Sequence, residues 1–292
     1  MVASLLIMLR EGIEVALILG IVAAYLSAID KKDWMRQVWL GALAAVALSV
    51  TVGTVAYVTA GELSADASHA VEAVAALAAV GMLTYMTFWM RNQARHIKGK
   101  LHSHIDKAVA VGSPFALAAL AFFSVGREAL ETVLFMFTVV KANGLSGPAF
   151  GASLGLAISG SLGYGIYKGG VRIDLRKFFS YTSLLLIIIA AGLLLSAMHV
   201  LIVEMGVLPP LVKEVWNIGR ILPSESGQGA GLAGIGVFLH AVFGYQEAPS
   251  LLELLAYITY LTAALFFYFK PEANASASRK RYSEKSESRA SA

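Results

Sequence analysis

The chain has 292 residues, 58% of them hydrophobic, and a mean hydropathy of +0.70. That apolar excess fits one integral membrane domain better than two soluble ones. The 23 Lys+Arg against 19 Asp+Glu, a net charge of +4, match cytoplasmic loop charge in a membrane protein and not a nucleic-acid partner; zero Cys excludes disulfides, thiolate metal sites and cysteine nucleophiles.

A membrane-crossing helix needs about 20 apolar residues, and seven stretches supply them: 2–28, 38–60, 70–90, 115–140, 149–167, 179–203 and 251–269. The first has no basic stretch before its apolar run and carries its charges mid-run, so it reads as a retained helix, not a cleaved signal. The connections alternate. Lys31, Lys32 and Arg36 follow the first span, and Glu62 and Asp66 follow the second. Arg91, Arg95, Lys98, Lys100 and Lys107 follow the third, Lys141 the fourth, and Lys168, Arg172, Arg176 and Lys177 the fifth. The link after the sixth has only Lys213 and Arg220, whereas Lys270, Arg279, Lys280, Arg281, Lys285 and Arg289 follow the seventh. Positive charge stays inside, which places the N-terminus outside and the C-terminus in the cytoplasm. The Gly-rich apolar segment 229–245 is expected to be re-entrant or exofacial, because a full crossing there would put the basic tail outside. The Ser-, Ala- and charge-rich tail, 271–292, is expected to be disordered.

Two spans carry charge in their middles. Arg10, Glu11 and Glu14 form "REGIE" in the first, and Arg127, Glu128 and Glu131 form "REALE" in the fourth. The second motif opens a second group of three spans, and an odd number of spans reverses a unit in the membrane. Spans one to three (about 1–90) and four to six (about 108–203) are therefore expected to be inverted repeats with a site at their interface, followed by an exofacial link and a seventh helix (204–270). At about 1.5 Å per residue, Glu11 and Glu14 lie roughly 14–18 Å below the outer end of their span. Glu128 and Glu131 lie roughly 15–20 Å below theirs, so both pairs approach the middle of a core about 30 Å thick. The expected fold is an all-α integral membrane protein of seven transmembrane helices, forming one domain over 1–270.

Residues three or four apart share a helix face. Each Arg therefore reaches the Glu four residues on, and one Glu per motif is left without an obvious partner. Buried ion pairs at a bundle interface are one reading. A substrate or ion path is the other, since ionisable groups at this depth cost roughly 2.5–3.5 kcal/mol each on insertion scales. Four Glu and two Arg carry a formal charge of minus two, and hard oxygen ligands suit a hard multivalent cation. A carboxylate-bound di-metal membrane enzyme is an alternative, but such bundles use Glu-x-x-His pairs, and here only the reversed His69/Glu72 compares. A permease for another divalent cation, or for protons, would use the same residues. Asp66, His69 and Glu72 at the outer end of span three form a candidate entry site; the plainer reading is a polar helix start capped by Asp66 or Ser68. His96, His102 and His104 fit a solvated basic loop, and Met198, His199 and His240 fit packing or capping. Small residues at four-residue spacing in span five, such as Gly151 and Gly155, allow close helix approach.

In "REGIE", "REALE" and "FGYQEAPSLLE" (243–253) the sequence resembles the high-affinity iron permeases, the oxidase-dependent iron transporters of fungi and bacteria. The likeness spans the chain except its tail. It implies a seven-helix permease, not an enzyme, that imports iron through the two RExxE motifs. Glu11, Glu14, Glu128 and Glu131 would be the iron ligands, with Arg10 and Arg127 as their partners. Iron would be a transported substrate with no permanently bound cofactor, handed over by separate extracytoplasmic iron-binding or redox proteins. The fungal exofacial acidic motif has no equivalent here beyond scattered Glu214, Glu225 and Glu247.

Overall fold

A computed structural model describes residues 1–93, 113–167, 175–207, 214–219, 221–222 and 233–270. Among them are eight α-helices and no strand. They are α1 (Val2–Ala28), α2 (Met35–Glu62), α3 (Ala65–Gln93), α4 (Pro114–Asn143), α5 (Ser146–Tyr167), α6 (Leu175–His199), α7 (Ala233–Phe243) and α8 (Leu251–Phe269). A 3₁₀ turn, Lys32–Trp34, leads into α2, and a π turn, Val200–Glu204, extends α6. Six of the seven apolar stretches each fall within one of these helices, the sixth, 179–203, runs from α6 through the π turn, and α7 corresponds to none of the seven. The histidine-bearing loop after α3 and the tail lie outside the described residues.

Among the described residues, four segments are long and apolar enough to cross a membrane: Lys32–Glu62, Ala65–Met90, Lys177–Glu204 and Leu251–Phe269. Helices α1 and α4 are as long, at 27 and 30 residues, but each has three formal charges in its middle. The 11 residues of α7 extend about 16 Å, roughly half of a hydrocarbon core, so that helix is too short to cross. It packs on α6 and α1. There Gly244, at φ 69°, permits an approach so close that a Cβ on Gly192 would stand 2.9 Å from the Gly244 nitrogen. His240 Nδ1–H closes the turn by donating to the Tyr245 carbonyl at 2.7 Å. That contact makes His240 a capping residue, as expected.

The helices pair across the two halves of the chain. Helix α1 lies along α5, α2 along α4 and α3 along α6, while α1 also crosses α4 and α8 leans on α6. Small residues set the closest of these approaches. A Cβ on Gly155 of α5 would fall 2.6 Å from the Leu5 carbonyl oxygen and 3.0 Å from the Leu9 nitrogen of α1. One on Gly163 would meet Ala16 Cβ at 2.7 Å.

Two apolar cores flank the centre. Leu19, Val22, Leu26, Val38, Ala42, Leu117 and Val125 join α1, α2 and α4; Ile7, Ala79, Leu83, Phe135, Val139, Leu186 and Ala190 join α1, α3, α4 and α6. Large apolar residues on α2 face outward, Leu40, Leu43, Val55 and Val58 among them. In water that surface would be a liability, but in lipid it needs no cover.

Candidate metal site

The charges of α1 and α4 meet between these cores. Arg10 is completely buried, and Glu11, Glu14, Glu128 and Glu131 are all buried as well. Arg10 Nη1 donates to Glu11 Oε1 at 3.0 Å, while its Nη2 stands 3.1 Å from Glu14 Oε1 without hydrogen-bond alignment. Arg127 repeats the pattern from α4, its Nε donating to Glu131 Oε1 at 3.0 Å and lying 3.6 Å from Glu128 Oε1. The expectation that one Glu per motif lacks a partner is corrected here. A guanidinium presents donors in a fork wide enough to engage both carboxylates of its own motif.

Even so the carboxylates are not saturated. Oε2 of Glu11, Glu128 and Glu131 is buried with no hydrogen-bond partner, as is the Thr87 hydroxyl. Glu11, Glu128 and Glu131 each turn an oxygen to a common point, with these atoms all within 4.8 Å of one another. Among the described residues they form the one group of three or more metal-ligating side chains so disposed. Oxygen ligands at about 2.0–2.2 Å from an ion stand at most about 4.4 Å apart across it, so a small inward movement closes the trio on a cation. Glu14, one turn along α1, is not one of the three, but Arg10 bridges it to Glu11 and its charge also acts directly on Glu128 and Glu131. Three carboxylates this close and away from water repel one another, and a cation between them relieves that repulsion.

Two residues of α3 complete the surroundings, and neither stands out in the sequence. The Met86 sulfur accepts from Arg10 Nη1 at 2.9 Å, and the Trp89 ring lies under Arg127, with the guanidinium carbon 4.8 Å from its centroid. Both sit in a span whose sequence, Thr84-Tyr85-Met86-Thr87-Phe88-Trp89, marks neither of them as special.

A cavity of about 1000 Å³ lies between α1, α2, α4 and α5. Glu11 and Glu128 line it in the middle of the bundle, and Ser27, Lys32, Trp39 and Tyr164 line it toward the end where α1 finishes. At the opposite end, Ala3 of α1, Val139 and Asn143 of α4 and Ser196 of α6 close in around His240 and Gly244.

The proposed entry residues are spread along the start of α3. The helix begins at Ala65, so Asp66 lies in its first turn and Ser68, whose N–H donates to the Ser64 carbonyl, lies inside it. Neither residue is the cap, which corrects that reading. His69 Nε2 faces Glu204 Oε2 of α6's π turn at 3.8 Å, and Asp66, His69 and Glu72 do not converge as a metal-ligating group. His199, expected to pack or cap, pairs through Nδ1 with Glu253 Oε1 at 2.9 Å. Glu253 is also the reciprocal partner of Ser250 in a capping box that starts α8. The Ser-x-x-Glu spacing before an apolar run announces that feature in the sequence.

Apolar helices packed around buried, partly unsatisfied charge are the architecture of a multi-pass membrane protein that passes ions. Residues 1–281 match the iron permease FTR1 family, and the chain belongs to that family. It is similar to the ferrous iron permease EfeU of Yersinia pestis, at 37% identity over 273 residues, 93% of this chain and 94% of the relative. It is 36% identical to the ferrous iron permease EfeU of Escherichia coli O157:H7 over 282 residues, covering 96% and 99% of the two chains. No solved structure matches. The family and these relatives are permeases, so the chain is a transporter and not an enzyme.

Proposed function

We propose that the protein imports iron through a site at the α1–α4 crossing, where Glu11, Glu128 and Glu131 take the cation and Glu14 completes the charge. The observation that carries this is the buried convergence of three carboxylate oxygens from the two RExxE motifs, to within 4.8 Å. Arg10 and Arg127 hold the carboxylates together when the site is empty and limit how tightly a cation is kept. A transporter needs that limit, because it must release what it binds.

Seven helices cross the membrane, with the N-terminus outside and the C-terminus in the cytoplasm, and α7 stays on the outer side. Spans α1–α3 and α4–α6 act as inverted repeats. The helix pairing supports this: exchanging the two triplets turns the α1–α5 pair into α4–α2 and returns α3–α6 and α1–α4 to themselves. The cavity from Glu11 and Glu128 toward Lys32 then opens inward, while α7 and the tight α1–α5 contact close the outer half. Alternating access exchanges these two halves. Asp66, His69 and Glu72 border the outer approach, where separate extracytoplasmic iron-binding or redox proteins deliver iron.

Iron-55 uptake by cells expressing Glu14→Ala or Glu131→Ala tests this assignment. Both variants should insert normally and lose uptake; near wild-type uptake by both would refute it.

A further inference from the structure

Helix α3 contributes no charge to the site, yet it touches both of its arginines. Met86 and Trp89 are three residues apart, so they share one face of α3. Each meets a different motif: the Met86 sulfur at 2.9 Å from Arg10 Nη1, and the Trp89 ring centroid 4.8 Å from the Arg127 guanidinium carbon. In the same arrangement Arg10 Nη1 donates to Glu11, and Arg127 Nε donates to Glu131. The α3 contacts therefore bear on the same guanidinium groups that engage the motif carboxylates. Arg127 is the more exposed of the two, at 45%, with room to swing away once its stacking partner is gone.

We propose that Met86 and Trp89 are positioning residues that hold Arg10 and Arg127 on the motif carboxylates, so that α3 sets how strongly the arginines compete with the incoming cation. This rests on the carboxylate trio being the iron site. A cation arriving at Glu11, Glu128 and Glu131 must draw those oxygens off the guanidinium groups. Losing the indole face weakens the competing state, so iron binds more tightly and leaves more slowly. A cation–π contact of ordinary strength at a partly exposed site corresponds to about a two- to five-fold change in affinity.

The test is ferrous iron binding to purified full-length protein by anaerobic equilibrium dialysis, alongside iron-55 uptake kinetics normalised to membrane abundance. Trp89→Leu should tighten binding about two- to five-fold and lower KM and Vmax together, and Trp89→Phe, which keeps a ring, should fall between Leu and wild type. Met86→Leu, which keeps the volume and loses the sulfur, should shift in the same direction. In an Arg127→Gln background the Trp89→Leu effect should vanish, as a double-mutant cycle requires of a direct coupling. A persisting effect in that background, weaker binding by Trp89→Leu, or a fall in Vmax alone would overturn the proposal. Should Arg127→Gln bind no iron, the contrast between Leu and Phe at position 89 in KM and Vmax decides. Glu131→Gln separates the two levels. If it binds iron like wild type, the site assignment fails; if it loses binding while Trp89→Leu changes nothing, only the role of α3 fails.

Discussion

Gly155 carries no charge and binds no ion, yet its replacement should impair both folding and transport. In Gly155→Ala the new Cβ would fall 2.6 Å from the Leu5 carbonyl oxygen and 3.0 Å from the Leu9 nitrogen and Met8 Cβ. Two of those three atoms are backbone, so no side-chain rotation relieves the clash. Ordinary contact begins near 3.4 Å, and α1 must therefore retreat from α5 by 3.4 − 2.6 = 0.8 Å at that point. Overpacking of this kind costs about 1–3 kcal/mol. Leu9 is two residues before Glu11, so the displacement reaches the carboxylates, where a working site tolerates about 0.5 Å. The expected result is a melting temperature several degrees lower in detergent and a clear loss of iron-55 uptake per folded molecule. Alanine at 155 with unchanged melting temperature and uptake would refute the claim that this backbone contact positions α1.

Further outcomes follow from individual contacts. Glu128→Gln and Glu131→Gln preserve shape while removing a unit charge from the trio; retaining even a third of the roughly 4 kcal/mol that a unit charge at 4 Å exerts in an effective dielectric near 20 gives about a tenfold loss of iron affinity, measurable by equilibrium dialysis. Arg10→Gln leaves Glu11 and Glu14 buried without their countercharge, at a cost of about 3–5 kcal/mol, and added divalent manganese should restore part of the lost thermal stability. Ser250→Ala removes the cap of α8 and should cost about 1 kcal/mol in stability while iron binding stays as in wild type.

The helices were readable because long apolar runs favour an internally hydrogen-bonded backbone, and the helices observed differ from the expected stretches mainly in their ends. Helix α3 starts five residues earlier than its apolar run because Asp66, an acid favoured at a helix N-terminus, sits in its first turn. The two RExxE sets were readable for the opposite reason, as charge in the wrong solvent. Which carboxylates converge was not readable, since that depends on how α1 and α4 are rotated against each other, and this brings oxygens of Glu11, Glu128 and Glu131 within 4.8 Å of one another. Arg10 and Arg127 each engaging two glutamates is a property of guanidinium geometry that i-to-i+4 spacing alone does not convey. Met86 and Trp89 were invisible because a thioether and an indole look like any other membrane-facing side chain until a guanidinium is beside them. The capping box at Ser250 and Glu253 was missed, although its Ser-x-x-Glu spacing before an apolar run marks the start of the last helix.

We propose that iron crosses the bilayer through the trio of Glu11, Glu128 and Glu131. Purified protein in liposomes tests it directly, with ferrous and ferric iron-55 supplied separately, with and without an imposed pH gradient. Wild-type protein should accumulate iron inside the vesicles under at least one of these conditions, and the triple variant Glu11→Gln, Glu128→Gln, Glu131→Gln, correctly inserted, should match protein-free liposomes. Accumulation by the triple variant at the wild-type rate would contradict the claim.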